Sequence, residues 1–205
     1  MRTSLIALIV ASHSNLYPSA SSAAVQPQDP TWGELDDPLI RAEIHELGLY
    51  PEILEEFPSN TLQQLPLRSC SEGHVDFFDG SVRVRIESQV FDHPAWVQSS
   101  ANGARLEKAP ILGWTPNGTH RRLSRLEVVI DGLNIPIPLA AFHDLFDAPL
   151  CSEDATLHYA QAARSNDGWR IYVHAQVGEG RNAALVTWLF EDGQYHYRIV
   201  DRAVL

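Results

Sequence analysis

The chain is poor in positive charge and lacks the common catalytic signatures. Lys108 is its single lysine, so amine chemistry of the Schiff-base kind would rest on one residue. There is no Gly-x-Ser-x-Gly elbow, no His-Glu-x-x-His pair and no Gly-x-x-x-x-Gly-Lys loop. These are the spacings by which serine hydrolases, zinc peptidases and phosphate-cradling loops are recognised. No cysteine pair sits at zinc spacing, and no repeat of fixed period is present. No segment approaches the roughly 20 apolar residues of a membrane-spanning helix. The formal net charge of -11 opposes any partner held mainly through phosphates, so no nucleic acid is expected. Neither a metal nor a cofactor is expected. A pair of catalytic carboxylates would come from distant positions and leaves no local trace.

Two cysteines, Cys70 and Cys151, are present. The N-terminus has the layout of an export signal over residues 1–24. Met1-Arg2 carries the charge, Leu5 to Ala11 is apolar, and Ser22 and Ala24 satisfy the small-x-small rule before Val25. The expected location is therefore the periplasm or the exterior, where an even cysteine count favours pairing. Closing so long a loop is worth about 4 kcal/mol in the chain-entropy account. Residues 25–35 read as a linker and residues 36–205 as one domain.

Four Asp-Gly dipeptides punctuate the chain at Asp79-Gly80, Asp131-Gly132, Asp167-Gly168 and Asp192-Gly193. Asp-Gly tolerates the positive φ angles of a two-residue hairpin turn. A tight turn at Asp79-Gly80 sets Val75 against Val84 and Phe77 against Val82, with Asp76 facing Arg83 and His74 facing Arg85. The turn at Asp131-Gly132 sets Ile130 against Leu133 and Val128 against Ile135. Strands are expected at about 155–163, 169–176, 184–191 and 194–201. The last turn pairs Phe190 with Tyr195 and Trp188 with Tyr197, and the loop before it sets Trp169 against Phe190. Each step keeps one apolar face, the mark of an antiparallel meander.

Asp37 reads as a helix N-cap and Pro38 as the first helical residue, with Leu39, Ile40, Ile44 and Leu47 on one stripe. A second short helix is expected over about 51–57, one more turn near Thr61–Leu65, and a cover helix from Pro138 to Phe146. The fold class that follows is α+β: antiparallel β-hairpins and a C-terminal four-stranded meander packed on a helix, preceded by short N-terminal helices.

The candidate binding residues lie on the meander's polar face. A symmetric turn over 164–168 sets His158 opposite His174 and Ala160 opposite Tyr172. Arg170, His196 and Arg198 are expected on the same side. The histidines lie too far apart for a three-ligand zinc site. The bland reading is a solvated strand face; the functional one is a ligand or partner surface. His74, Asp76, Asp92 and His93 read as surface residues of a hairpin. His120, Arg121, Arg122 and Arg125 form a basic cluster that either balances the acidic N-terminal helices within the fold, the first reading, or receives an anion. The acids between Asp29 and Asn60, opposed by Arg41 alone, make either a solvated helical face or a docking surface for a basic partner.

Export, acidity, a disulfide and the missing signatures point to a non-enzymatic binding protein, of the inhibitor or immunity type, acting on a basic partner. The alternatives are a hydrolase with a dispersed carboxylate/His site and a small-ligand carrier.

Overall fold

Two of the Asp-Gly dipeptides build the turn expected of them. Asp131 and Gly132 sit at φ 50° and 81°, and Asp192 and Gly193 at 49° and 68°, the left-handed pair of a two-residue hairpin. Ile130 accordingly pairs with Leu133 and Phe190 with Tyr195. The computed structural model describes residues 29–49, 61–92, 98–100, 103–106, 109–114, 119–151 and 159–202. The export signal and the helix expected over 51–57 lie outside the described residues.

The described part is mostly β. Sheet A orders β1 (Leu62–Gln64), β10 (Ala160–Ser165), β11 (Arg170–Val177), β12 (Ala184–Glu191) and β13 (Gln194–Arg202). Sheet B orders β2 (Leu67–Ser71), β3 (His74–Phe78), β4 (Val82–Phe91), β8 (His120–Ile130) and β9 (Leu133–Asn134). A small third sheet joins β5 (Gln98–Ser100), β6 (Gly103–Leu106) and β7 (Ala109–Pro110). All ladder pairings are antiparallel.

The inner faces of sheets A and B share one core, with Val84, Ile86 and Val128 on one side and Val173, Val186, Trp188 and Phe190 on the other. The meander's main apolar face therefore packs on a second sheet and not on the cover helix expected from Pro138 to Phe146. The segment expected to be the cover helix forms one 3-10 turn, Leu139–Ala141, then irregular chain. Leu139 is exposed, while Phe142, Leu145 and Phe146 are buried. Pro136 and Pro138 lie in the irregular chain that leads into this segment, and neither has an N–H to give to a ladder. Thr61–Leu65 likewise gives strand β1 where a helical turn was expected.

The other face of sheet A is also covered. Helix α1 (Pro38–Ile44) begins where the sequence indicates, with the Asp37 carboxylate accepting from Leu39 N at 2.8 Å and Ile40 N at 3.2 Å. It widens into a π turn over His45–Leu49. Ile40, Ile44 and Leu47 join Trp32 and Leu35 in a second core against Tyr172, Leu189 and Ile199. Sheet A is thus the middle of three layers.

Four registers differ from expectation. At Asp79 the carboxylate accepts from Ser81 N at 2.9 Å and Val82 N at 2.7 Å, which opens the loop and moves the pairing by two. Val75 then meets Ile86, and Phe77 meets Val84. The β11–β12 pairing also moves by two, to Ile171–Phe190 and Val173–Trp188. An even shift keeps every side chain on its face, whereas an odd one reverses it. The β10–β11 pairing moves by three, so Gln161 faces His174 and Ala163 faces Tyr172. A bulge between Leu189 and Phe190 adds a further reversal. Tyr197 pairs with Leu189, and Arg198, instead of Tyr197, comes opposite Trp188.

Cys70 and Cys151 form a disulfide with Cα atoms 5.6 Å apart, tying β2 to the end of the irregular segment. No helix among the described residues is long and apolar enough to cross a membrane.

Candidate functional site

The meander's polar face is an interior. Arg170 donates from Nε to Glu43 of α1 at 2.8 Å and from a terminal nitrogen at 3.0 Å, and the Tyr172 hydroxyl donates to the same carboxylate. The hydrogen bond to Glu43 holds the Arg170 guanidinium charged, and burial pushes the Tyr172 phenol up from its ordinary value. His174 is buried against Thr187, Nδ1 to Oγ1 3.1 Å. Burial pulls its pKa down to about 3, so the ring is neutral. These three residues form one buried strip under α1.

The bulge sends Arg198 the other way. Its guanidinium grips Asp144 at 2.6 and 2.7 Å, reaches Asp29 at 2.8 Å, and shares the Ala141 carbonyl with the Trp188 indole. His196 stays exposed, 3.5 Å from Glu191. His158 lies outside the described residues. The structure therefore brings Arg170, Tyr172 and His174 together in the interior, leaves His196 exposed beside them, where it shares Glu191 with Arg170 (3.5 and 3.7 Å), and separates Arg198 from them.

Most other polar groupings are also joined internally. Asp76 takes a two-point contact from Arg83 at 2.9 and 2.8 Å, which lowers its pKa, while His74 meets Ser69. Within the basic cluster, His120 pairs with Asp147 at 2.8 Å under a stacked Trp114, and Arg121 binds Ser88. Arg122 lies over Phe91, and Arg125 pairs with Glu127. Among the described residues the carboxylates that meet this cluster are Asp147, Glu72, Glu87 and Glu127, not the N-terminal acids. Those acids serve the fold as well: Asp29 holds Arg198, Glu34 caps the Thr31 turn, Asp37 caps α1, Glu43 holds Arg170 and Glu46 binds Thr61. No group of three metal-ligating side chains is found among the described residues.

The four Asp-Gly turns collect at one end of the sandwich. Asp131 N donates to Ser81 O at 2.8 Å, joining the second Asp-Gly turn to the first. Arg164, leading into the third, reaches Asp79 at 3.4 Å and Ser81 Oγ at 3.1 Å. Asp192 N of the fourth donates to Trp169 O at 3.0 Å. All four turns are therefore neighbours, an arrangement in which loops on a rigid scaffold carry binding groups.

Among these turns opens a cavity of about 200 Å³. It is lined by Trp169, Asp167, Asp192 and Ile130, with the buried Ile171 and Phe190 behind them. Trp169 is 58% exposed. The two-residue register shift places it past the paired end of β11 rather than opposite Phe190. Asp167 is held below the usual carboxylate range by the Ser165 hydroxyl and by Trp169 N, and it touches Arg170 at 3.3 Å. The exposed Asp192 carboxylate makes no ion pair or hydrogen bond among the described residues.

Comparison with protein-family models, with curated proteins and with solved structures finds no match to this chain.

Sequence reasoning located all four turns but not their convergence, and it put Trp169 in the core. The available signal was Trp169 directly after Asp167-Gly168, where a longer loop would leave the ring beyond the ladder. His120 was grouped by charge, and its partner Asp147, 27 residues away, carries no local mark.

Proposed function

We propose that this is an exported, non-catalytic binding protein that recognises a basic protein partner, as an inhibitor or immunity-type protein does, and that the four-turn end of the sandwich is its contact surface. One observation supports this reading above the rest. The buried ionisable groups of sheet A and α1 (Glu43, Arg170 and Arg198) are engaged in pairs within the protein, whereas the turn end presents Trp169 beside an unengaged Asp192. A large aromatic ring with carboxylates at its rim, on a chain of net charge -11, suits a cationic surface. Complementary charge also speeds encounter. The disulfide fits an oxidising compartment.

The test is retention of exported proteins on the immobilised full chain at low and high salt, beside the variant Trp169→Ala/Asp192→Asn. A basic protein held at low salt by the wild type, released by salt and not held by the variant, supports the reading. Absence of any salt-sensitive basic protein on the wild type overturns it.

A further inference from the structure

We infer that the Trp169 cavity receives one cationic side chain of the partner, and that arginine fits it better than lysine. The inference rests on the binding role proposed above and names what that surface reads.

The cavity is small. At about 200 Å³ it falls below the roughly 300–1,000 Å³ typical of sites that enclose a drug-sized ligand, so it suits a single side chain. Its chemistry is divided by depth. Half-buried Ile130 backs the cavity in front of the fully buried Ile171 and Phe190, and with the Trp169 ring it can cover the methylene stem of a long basic side chain. Trp169 offers an indole face that is more than half exposed, and tryptophan is the aromatic that attracts cations most strongly. Asp192 supplies an unengaged carboxylate at the rim. Asp167 shares its charge with Arg170, so Asp192 is the stronger anchor.

The nearby cations do not compete for the cavity. Arg170 is buried on Glu43, and Arg164 is directed to Asp79 and Ser81. A planar guanidinium can stack on the indole while its fork meets a carboxylate, which an ammonium cannot do. A neutral sugar would use the ring face but leave the carboxylate's charge unanswered.

The test uses the full chain, 15N-labelled, with N-acetyl-arginine methylamide as probe. Its lysine counterpart, its neutral citrulline isostere and a neutral glucose tetramer are the comparators. The expected result is a saturable shift of the Trp169 indole N–H and of the Asp167–Trp169 and Asp192–Gly193 amides. Lysine should bind more weakly than arginine, and citrulline more weakly still. Trp169→Ala should weaken arginine roughly tenfold, Trp169→Phe less, and Asp192→Asn roughly threefold. Trp169 lies at the surface, so these variants keep the fold, and the unchanged remainder of the amide spectrum verifies it.

Equal binding of arginine and citrulline overturns the inference, as does binding of the glucose tetramer with no response to arginine. If Trp169→Ala retains the basic partner as well as the wild type does, the cavity assignment falls and the wider binding role stands. If arginine binds in a Trp169-dependent way but no basic protein is retained, the wider role falls and the cavity assignment stands.

Discussion

Glu43 and Arg170 meet face to face across the junction of α1 and sheet A, at 2.8 and 3.0 Å, with 2% and 9% of each residue exposed. The two are 127 residues apart in the chain. Their pairing fastens the N-terminal segment over a strip that would otherwise be the polar face of the meander. Removing Glu43 leaves the buried guanidinium only its longer contacts to Asp167 and Glu191, at 3.3 and 3.7 Å, and strips the buried Tyr172 hydroxyl of its acceptor. Glu43→Ala is therefore expected to lower the unfolding free energy by about 3–5 kcal/mol, read from urea denaturation. A loss below about 1 kcal/mol would show that α1 is held by its apolar stripe alone.

His174 makes a pH prediction. Its folded pKa is drawn down to about 3 by burial, while the unfolded value is near 6.5. Below pH 6.5 the unfolded chain takes up a proton that the folded chain refuses. This contribution to stability is therefore complete above about pH 6.5 and is lost as pH falls toward 3. The slope is about 1.4 kcal/mol per pH unit well inside that window. His174→Gln should make the unfolding free energy flatter by that amount between pH 6 and pH 4. Parallel profiles for the two proteins would remove His174 as the source.

Arg198 is a junction between β13, Asp144, Asp29 and the Ala141 carbonyl. Its two-point geometry needs a guanidinium, so Arg198→Lys is expected to recover part of the stability that Arg198→Met loses. Thermal unfolding of the two variants reports this directly. Equal melting temperatures for Arg198→Lys and wild type would show the fork to be dispensable.

The Cys70–Cys151 bond closes a separation of 81 residues. Its loss in Cys70→Ala/Cys151→Ala should cost about 4 kcal/mol, mainly by freeing the unfolded chain. The measurement is chemical denaturation of the variant beside the oxidised wild type, after mass spectrometry has verified the bond in the latter.

Two glycines separate a turn requirement from a packing requirement. A Cβ on Gly113 would stand 2.2 Å from the Phe146 carbonyl oxygen, with φ at +83°. A Cβ on Gly193 would meet nothing within 4 Å, with φ at +68°. Gly193→Ala should cost about 1–2 kcal/mol from backbone conformation alone. Gly113→Ala should cost clearly more, because backbone must move. Similar melting temperatures for the two variants would contradict the close approach of the Gly113 and Phe146 segments.

The amino-acid sequence on its own determined the hairpin turns at Asp131-Gly132 and Asp192-Gly193, the Asp37-Pro38 start of α1, and the predominance of antiparallel pairing. Each of these rests on local chemistry: a φ angle that Asp-Gly accepts, a carboxylate within reach of two amides, an alternation of period two. Tertiary structure decided the rest. The Asp79 carboxylate opens its loop through local bonds to Ser81 N and Val82 N, whereas the β10–β11 and β11–β12 offsets and the bulge beside Leu189 belong to ladders that exist only once the strands have paired, and each odd shift carried residues such as Tyr197 and Arg198 to the opposite face. Alternation marks which side chains share a face but not what lies against it. Arg170, Tyr172 and His174 would show the same pattern under water as under Glu43. Trp169 would read as core wherever the ladder reached it, and it is the ladder's ending at Arg170 that leaves the ring in solvent.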